Sequence, residues 1–172
     1  MRKYGAIHDA AFFAWLETHA DALHRRDAAA LVEAIYTSCR IKADIVARDE
    51  RETGERAHLN FGHTFGHAIE TGAGYGEWLH GEAVSAGMVL AARLSAMLNG
   101  VAQRDVERIG ALLHRLDIPT AAPRMSFEQW MALMRRDKKV EREAIRFVVL
   151  ERLGRAQLRS DVGDDMLRAV LA

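Results

Sequence analysis

The histidines near the middle of this chain are the side chains best placed to do chemistry. His63 and His67 lie four residues apart, and His80 follows thirteen residues after His67. On a helix, residues i and i+4 lie on one face, so two imidazoles at this spacing can bind one metal ion. A third histidine at the start of the following helix would complete a three-ligand site with an open position, as catalytic zinc requires.

Glu70 and Glu82 are the acidic residues closest to this motif that could complete such a site. Glu70 follows His67 by three residues but His63 by seven, so it shares their helix face only approximately. We expect Glu70 to orient an imidazole or to cap the helix surface rather than to bind the metal directly. Spacing alone therefore nominates no fourth ligand.

Several polar side chains around the motif could contact a substrate. Arg56 and Lys42 could bind a carboxylate or a phosphate beside the metal. Lys138 and Lys139 belong to a charged run that solvated surface charge explains equally well. Asn60 could cap the following helix or contact a substrate hydroxyl.

The elements that must position these residues are mainly helices, because prolines are few and the glycines are clustered. Helices are predicted at residues 9–24, 27–48, 60–72, 80–98, 103–116, 126–136 and 164–171. Residues 144–160 are rich in β-prone residues around a turn and predict a small antiparallel hairpin. We therefore expect a mainly α fold in which residues 1–172 form a single helical domain.

Two features of these predicted helices concern their packing. A stripe at helical spacing on the 27–48 helix should be buried, and its members are Leu31, Ile35, Cys39, Lys42 and Val46. Lys42 interrupts this otherwise apolar stripe. Gly62 and Gly66 each cost about 1 kcal/mol relative to alanine in a helix, so we expect them to allow the close approach of another backbone or of a ligand.

Composition sets broader limits on the function. Apolar residues make up 49% of the 172 residues and charged residues 28%, which is typical of a globular domain. The 24 basic and 24 acidic residues balance, so net charge favours neither a nucleic-acid partner nor a membrane partner. A single cysteine excludes an intrachain disulfide and a cysteine-based zinc site. With no apolar run of about 18 residues and a polar N-terminus unlike a signal peptide, we expect a cytoplasmic protein.

Motifs along almost the whole chain resemble the C-terminal domain of 3-dehydroquinate synthase, a sugar-phosphate cyclase. They lie in the family's order at Lys3–Ala6, Ile41–Ala43, Asp49–Gly54, Leu59–His67, Gly74–Gly76, Leu79–Glu82 and Asp137–Lys139. The resemblance implies a mainly helical domain that converts 3-deoxy-D-arabino-heptulosonate 7-phosphate into 3-dehydroquinate and phosphate in the shikimate pathway. It also implies zinc, or another divalent metal such as cobalt, and NAD as cofactors.

The same resemblance implies roles for individual residues. His63 and His80 match zinc ligands, whereas His67 matches an acid/base group that contacts the substrate, which corrects the interpretation from spacing alone. Glu52 matches a proposed proton acceptor. Further substrate contacts are implied at Lys3, Lys42, Arg56, Leu59 and Asn60, and at one of Lys138 and Lys139.

Two parts of the family pattern are not found in these 172 residues. The family's third zinc ligand is a glutamate that would fall just before Met1. The family's N-terminal NAD-binding domain, called the nucleotide-binding half below, has no counterpart, and no glycine-rich phosphate loop follows a strand. We therefore expect the chain to be inactive alone. A separate nucleotide-binding half supplied in trans is one way to complete the enzyme, and the resemblance to a homodimeric family makes self-association a further expectation.

Two other interpretations remain open at this point. A related cyclase that acts on sedoheptulose 7-phosphate or glucose 6-phosphate would differ in only a few side chains. A non-catalytic helical module could instead use the same scaffold for association, since a missing half would leave an apolar face exposed.

Overall fold

A computed structural model describes residues 2–51, 54–74, 76–136 and 144–172, without the side chains of Arg2 and Arg136. Its elements in chain order are α1 (Arg2–Ile7), α2 (Ala10–Thr18), α3 (Ala20–His24), α4 (Ala28–Arg48), a 3₁₀ helix (Glu55–Asn60), α5 (His63–Ala73), α6 (His80–Met97), α7 (Gln103–Arg115), α8 (Phe127–Arg136), β1 (Phe147–Arg152), β2 (Arg155–Arg159) and α9 (Asp164–Leu171). The strands β1 and β2 pair antiparallel, so the prediction of a mainly α fold with one hairpin is confirmed. None of the described helices is long and apolar enough to cross a membrane.

The helix ends differ from the prediction at three places. The predicted 9–24 helix begins as expected, with the Asp9 carboxylate accepting the Phe12 N–H, but it breaks at His19 into α2 and α3. Helix α1 was not predicted, because its six residues are too few for a periodic pattern. The histidine helix begins at His63 rather than at residue 60, since the preceding residues form the 3₁₀ helix.

Helix α6 forms the centre of the core, as its apolar sequence predicts. Its residues from Ala83 to Ala92 are buried, and it contacts α5, α7, α9 and β1. The buried Ser95 hydroxyl donates to the Ala91 carbonyl at 2.6 Å and accepts the Leu150 N–H at 2.8 Å. This pair of hydrogen bonds joins α6 to the hairpin without leaving the hydroxyl unsatisfied.

Helices α5 and α6 approach each other so closely that their backbones touch. A Cβ atom at Gly66 would lie 2.9 Å from the Cα of Val84, and one at Gly87 would collide with the Gly62 carbonyl oxygen. Gly62 also has φ of 82°, a left-handed conformation that favours glycine. The expected close approach at Gly62 and Gly66 is therefore confirmed, and the approaching backbone is that of α6.

Within the described residues, helix α4 packs mainly against α1, α3 and the 3₁₀ helix. The buried side consists of Ala30, Ala34, Thr37, Ser38, Ile41 and Ile45. The predicted buried stripe was therefore wrong: Ile35, Cys39 and Lys42 are exposed, and its other two members are only half-buried. The helix carries apolar residues on two opposite faces, and periodicity alone does not say which of them this chain covers.

Candidate metal and substrate site

The three histidines of the central motif converge where α5 meets the first residue of α6. The ring centroids of His63 and His67 are 5.6 Å apart, those of His63 and His80 are 5.6 Å apart, and those of His67 and His80 are 5.9 Å apart. The first two rings lie one helical turn apart on α5, and the third is brought to them by the contact between the two helices. The structure therefore places all three histidines singled out from the sequence in one cluster.

The two candidate acidic residues have different positions. The Glu70 carboxylate lies 3.0 Å from Nδ1 of His80, so it can accept a hydrogen bond from a protonated Nδ1. The Nε2 atom of a neutral His80 would then carry the lone pair that can bind a metal. Glu82 instead accepts the backbone N–H of Leu79 at 3.0 Å and caps the start of α6. Within the described residues, His67, Glu70 and His80 offer donor atoms that all lie within 4.8 Å of one another, close enough to share a cation.

The surroundings of His63 favour its neutral form. Burial, the positive charge of Lys3 and the two neighbouring imidazoles together lower the pKa of His63 to about 4. A weak contact of 3.3 Å from Nδ1 to the Phe61 carbonyl acts in the opposite direction without overcoming them. A neutral imidazole keeps a lone pair for a metal, so this ring is prepared as a ligand at neutral pH.

Lys3 lies beside His63, and Lys42 is close enough to Lys3 to affect its pKa. Burial and then the nearby charge of Lys42 lower the pKa of Lys3, and Lys3 in turn acts on His63. Lys3 comes from α1 and Lys42 from α4, helices that contact each other. Holding two ammonium groups together costs free energy unless an anion is bound between or beside them. Such a pair of ammonium groups can bind an anion, and Lys3 places the pair next to the histidine cluster.

The 3₁₀ helix carries the other predicted substrate contacts and packs against both α1 and α4. Its Arg56 guanidinium donates to the Glu50 carbonyl at 2.6 Å, and the Arg56 backbone N–H donates to the Asp49 carboxylate at 2.9 Å. Leu59 is half-buried against the core, and Asn60 is exposed at the end of the 3₁₀ helix. The N-cap of α5 is Gly62, so the alternative that Asn60 caps this helix is wrong.

Three residues of the predicted site lie outside the described residues. These are the predicted proton acceptor Glu52 and the predicted substrate contacts Lys138 and Lys139. Their roles stay predictions. Glu70 contacts the His80 ring, which agrees with the expectation that it orients an imidazole, but spacing did not identify His80 as the partner because this residue lies ten residues away on the next helix.

A second histidine group lies apart from the first, around a cavity of about 380 Å³ between the 3₁₀ helix and the hairpin. His8 lies 3.5 Å from the Glu55 carboxylate, which also receives two hydrogen bonds from Arg48. Burial lowers the pKa of His58, and the carboxylates of Glu55 and Glu151 partly oppose this change. Both imidazoles therefore have acidic side chains beside them, and His8 is also close enough to His58 to lower its pKa.

A family model described as 3-dehydroquinate synthase C-terminal matches residues 1–140. The chain belongs to this family. A protein named 3-dehydroquinate synthase from Neisseria meningitidis serogroup C (strain 053442) is 52% identical over 169 residues, which cover 98% of this chain and 47% of the relative. A namesake from Shewanella frigidimarina (strain NCIMB 400) is 54% identical over 171 residues, covering 99% and 48%. This member of the 3-dehydroquinate synthase family thus spans about half the length of the curated relatives it matches.

Solved structures of related cyclases share the fold of this family member. The 2-epi-5-epi-valiolone synthase of Streptomyces hygroscopicus subsp. jinggangensis 5008, with NAD⁺ and Zn²⁺ bound, matches with a TM-score of 0.87 at 23% identity over 99% of this chain and 48% of its own. A 2-deoxy-scyllo-inosose synthase complexed with carbaglucose-6-phosphate, NAD⁺ and Co²⁺ matches with a TM-score of 0.64 at 24% identity over 77% of this chain and 39% of its own. At these identities the similarity concerns the fold.

Proposed function

We propose that this chain supplies the metal- and substrate-binding part of a 3-dehydroquinate synthase. The reaction would convert 3-deoxy-D-arabino-heptulosonate 7-phosphate into 3-dehydroquinate and phosphate. The observation that carries the proposal is the convergence of His63, His67 and His80 beside Lys3, in a chain more than half identical to proteins named for this activity.

The donor set of the histidine cluster fits a divalent metal. His63 and His80 would hold it through neutral imidazole nitrogens, and Glu70 would fix the orientation and the tautomer of His80. Imidazole and carboxylate donors suit Zn²⁺ and Co²⁺. A bound cation supplies Lewis acidity, and NAD bound by the nucleotide-binding half supplies a hydride acceptor.

The remaining residues would bind the substrate and move its protons. Lys3 and Lys42 would hold anionic groups of the substrate, since their mutual repulsion is relieved when an anion binds. His67 would contact the substrate as an acid/base group at the edge of the metal site. Arg56, Leu59 and Asn60 would line the substrate cleft from the 3₁₀ helix, and Glu52, Lys138 and Lys139 stay predicted contributors.

The proposal includes a requirement for the nucleotide-binding half, whether it is joined to this chain or supplied separately. The chemistry begins with removal of hydride from a substrate carbon, and the 172 residues contain no glycine-rich dinucleotide loop after a strand. The chain alone should therefore release no phosphate from the substrate.

A reconstitution experiment tests this proposal. The nucleotide-binding half of the Shewanella frigidimarina relative would be joined in front of this chain, and phosphate release and 3-dehydroquinate would be measured with Zn²⁺ or Co²⁺ and NAD. We expect turnover by the joined protein, none by the chain alone, and a loss of at least about 100-fold on changing His67 to Gln. A metal-loaded joined protein that binds NAD but leaves the sugar phosphate unchanged would refute the proposed reaction.

A related cyclase activity is the second candidate, favoured by the fold shared with the 2-epi-5-epi-valiolone synthase. Sedoheptulose 7-phosphate and glucose 6-phosphate lack the carboxylate of the heptulosonate. If Lys3 and Lys42 bind a carboxylate as well as a phosphate, the joined protein should prefer the heptulosonate. A preference for one of the two sugar phosphates without a carboxylate would instead assign the chain to that related cyclase activity. A metal affinity unaffected by His63→Ala would instead favour the non-catalytic association module.

A further inference from the structure

The carboxylate of Asp49 connects the end of α4 to the start of the 3₁₀ helix. Asp49 is the C-cap of α4, where its own backbone N–H donates to the Ile45 carbonyl at 3.0 Å. Its Oδ2 atom accepts the backbone N–H groups of Gly54 and Arg56, each at 2.9 Å. Gly54 is the N-cap of the 3₁₀ helix, and Arg56 is its second residue. One half-buried side chain therefore ties the two helix ends together.

A carboxylate at the C-cap of α4 is unfavourable for that helix but favourable for the 3₁₀ helix. The last carbonyl groups of α4 carry partial negative charge, which repels an acidic side chain. The first N–H groups of the 3₁₀ helix lack acceptors within that helix and carry partial positive charge. Asp49 binds two N–H groups at this end with charge-assisted hydrogen bonds. An acidic residue at this position is therefore accounted for by the 3₁₀ helix.

Arg56 is held at two points by the residues that follow α4. Asp49 binds its backbone N–H, and its guanidinium Nη1 donates to the Glu50 carbonyl at 2.6 Å. A guanidinium has five N–H donors in a rigid fork, so a bond from one of them orients the whole group. Phosphates and carboxylates are bound through this fork, and binding is therefore sensitive to its orientation.

A second contact supports the same helix start but should hold it less firmly. The Glu55 carboxylate accepts two hydrogen bonds from the Arg48 guanidinium, both at 2.9 Å, and lies 3.5 Å from Nδ1 of His8. The Arg48 side chain is exposed, and water and salt weaken an exposed ion pair. Asp49 is less exposed and binds backbone N–H groups, which cannot rotate away as a side chain can. Asp49 is therefore the stronger of the two ties.

We propose that Asp49 is a positioning residue that holds Arg56 in place for the substrate. This inference rests on the proposed function for the role of Arg56 as a substrate contact. The Asp49 carboxylate acts through the backbone of the 3₁₀ helix and not by touching the substrate. Its removal should let the start of this helix move, and a displacement of about 1 Å in a substrate-binding group can cost about 100-fold in rate.

A double-mutant cycle in the joined protein tests whether Asp49 acts through Arg56. The kcat/KM for the heptulosonate phosphate would be measured for the parent, Asp49→Ala, Arg56→Ala and the double variant. We expect losses of about 30-fold for Asp49→Ala and about 100-fold for Arg56→Ala, with the double variant within about threefold of Arg56→Ala. Losses that multiply in the double variant would overturn the inference.

Asp49→Asn gives the cycle a conservative variant, because it keeps an oxygen acceptor and removes only the charge. We expect it to lose about fivefold in kcat/KM, which is a partial rescue relative to alanine. If Asp49→Ala does not fold, Asp49→Asn takes its place in the cycle, and the same criterion of non-additivity decides the inference.

Asp27→Ala is the matched control, because Asp27 makes the same kind of bond at the other end of α4. Its carboxylate accepts the Ala30 N–H at 2.9 Å, and the 21 residues of the helix place it about 30 Å from Asp49. Loss of this cap should lower the melting temperature and change kcat/KM by no more than about twofold. A loss of kcat/KM as large as that of Asp49→Ala would overturn the inference, because general destabilisation would then explain both results.

Amide hydrogen exchange in the 172-residue chain separates this inference from the proposed reaction. Asp49→Ala should speed the exchange of the Gly54 and Arg56 N–H groups at least about fivefold, and Asp27→Ala should leave it unchanged. Unchanged exchange in Asp49→Ala would overturn the inference, whether or not the joined protein makes 3-dehydroquinate.

A joined protein that does not convert the heptulosonate phosphate would contradict the proposed reaction without deciding this inference. The same cycle would then be measured on the dissociation constant of that sugar phosphate. A double variant that binds it like Arg56→Ala would support the positioning role of Asp49, and losses of affinity that multiply would overturn it.

Discussion

The two histidine groups of this protein differ in what their imidazoles face. In the cluster of His63, His67 and His80 the three rings lie against one another, Lys3 lies beside His63 and the Glu70 carboxylate contacts His80, whereas His8 and His58 lie beside the carboxylates of Glu55 and Glu151. At His63 burial, the charge of Lys3 and the neighbouring rings all lower the pKa and leave a lone pair for a cation, whereas at His58 burial also lowers the pKa but the carboxylates of Glu55 and Glu151 oppose the change. The two groups thus differ in whether the charged side chains beside a histidine add to the effect of burial on its pKa or oppose it.

The largest effect should come from separating the helices that build the first group. Gly87→Ala would drive a methyl group into the Gly62 carbonyl, and this backbone atom cannot move without shifting α5 and its two histidines. We expect a loss of about 3 kcal/mol in the free energy of unfolding, measured by urea denaturation.

Gly110→Ala is the matched control, because nothing lies within 4 Å of its added carbon in the middle of α7. It should stabilise the protein by about 0.5–1 kcal/mol through helix propensity alone. If the two variants had the same stability, the backbone contact between α5 and α6 would not be what holds the cluster together.

A smaller effect distinguishes the two groups by metal binding. His80→Ala should weaken Co²⁺ binding by the chain at least about 100-fold, measured from the visible absorbance of the bound ion, because it removes a ligand nitrogen. His58→Ala should leave the affinity within about twofold, since that ring faces carboxylates in the other group. Equal losses of Co²⁺ affinity in both variants would mean that the ion does not bind selectively at the cluster of His63, His67 and His80.

The contact between Glu70 and His80 should contribute less than a ligand. Glu70→Gln keeps the shape but offers the Nδ1 proton a weaker acceptor, so we expect a loss of about tenfold in Co²⁺ affinity. ¹⁵N NMR of the His80 ring in the metal-free chain should show a mixture of tautomers in the variant and one tautomer in the parent. Glu82→Gln is the control, since Glu82 caps α6 at Leu79; an identical loss there would remove the orienting role from Glu70.

Sequence periodicity predicted most of the helices and the hairpin because their apolar residues recur at the appropriate spacing. It predicted the histidine motif of the cluster but not the role of each histidine. His80 is the first residue of α6, and the close packing of α5 against α6 at the glycines brings its ring to the α5 histidines. It failed on α4, where two apolar faces compete for the same pattern. The expectation that Glu70 orients an imidazole agrees with its contact with His80, but the sequence did not say which ring it contacts, because the contact joins two helices.

The smallest effect is a pH dependence that belongs to the first group. His63 has a pKa of about 4 in the folded chain against an ordinary value of 6.5, so between these values the unfolded chain binds a proton that the folded chain does not. The metal-free chain should therefore lose stability as the pH falls from about 6.5 towards 4, and this contribution should be constant above that window. The full shift corresponds to about 3 kcal/mol, which partial exposure of the ring reduces to about 1 kcal/mol.

His63→Gln should flatten this part of the stability profile, whereas His114→Gln, at an exposed residue of α7, should not. Parallel profiles for the parent and His63→Gln would show that burial, the lysine and the neighbouring rings do not hold His63 neutral.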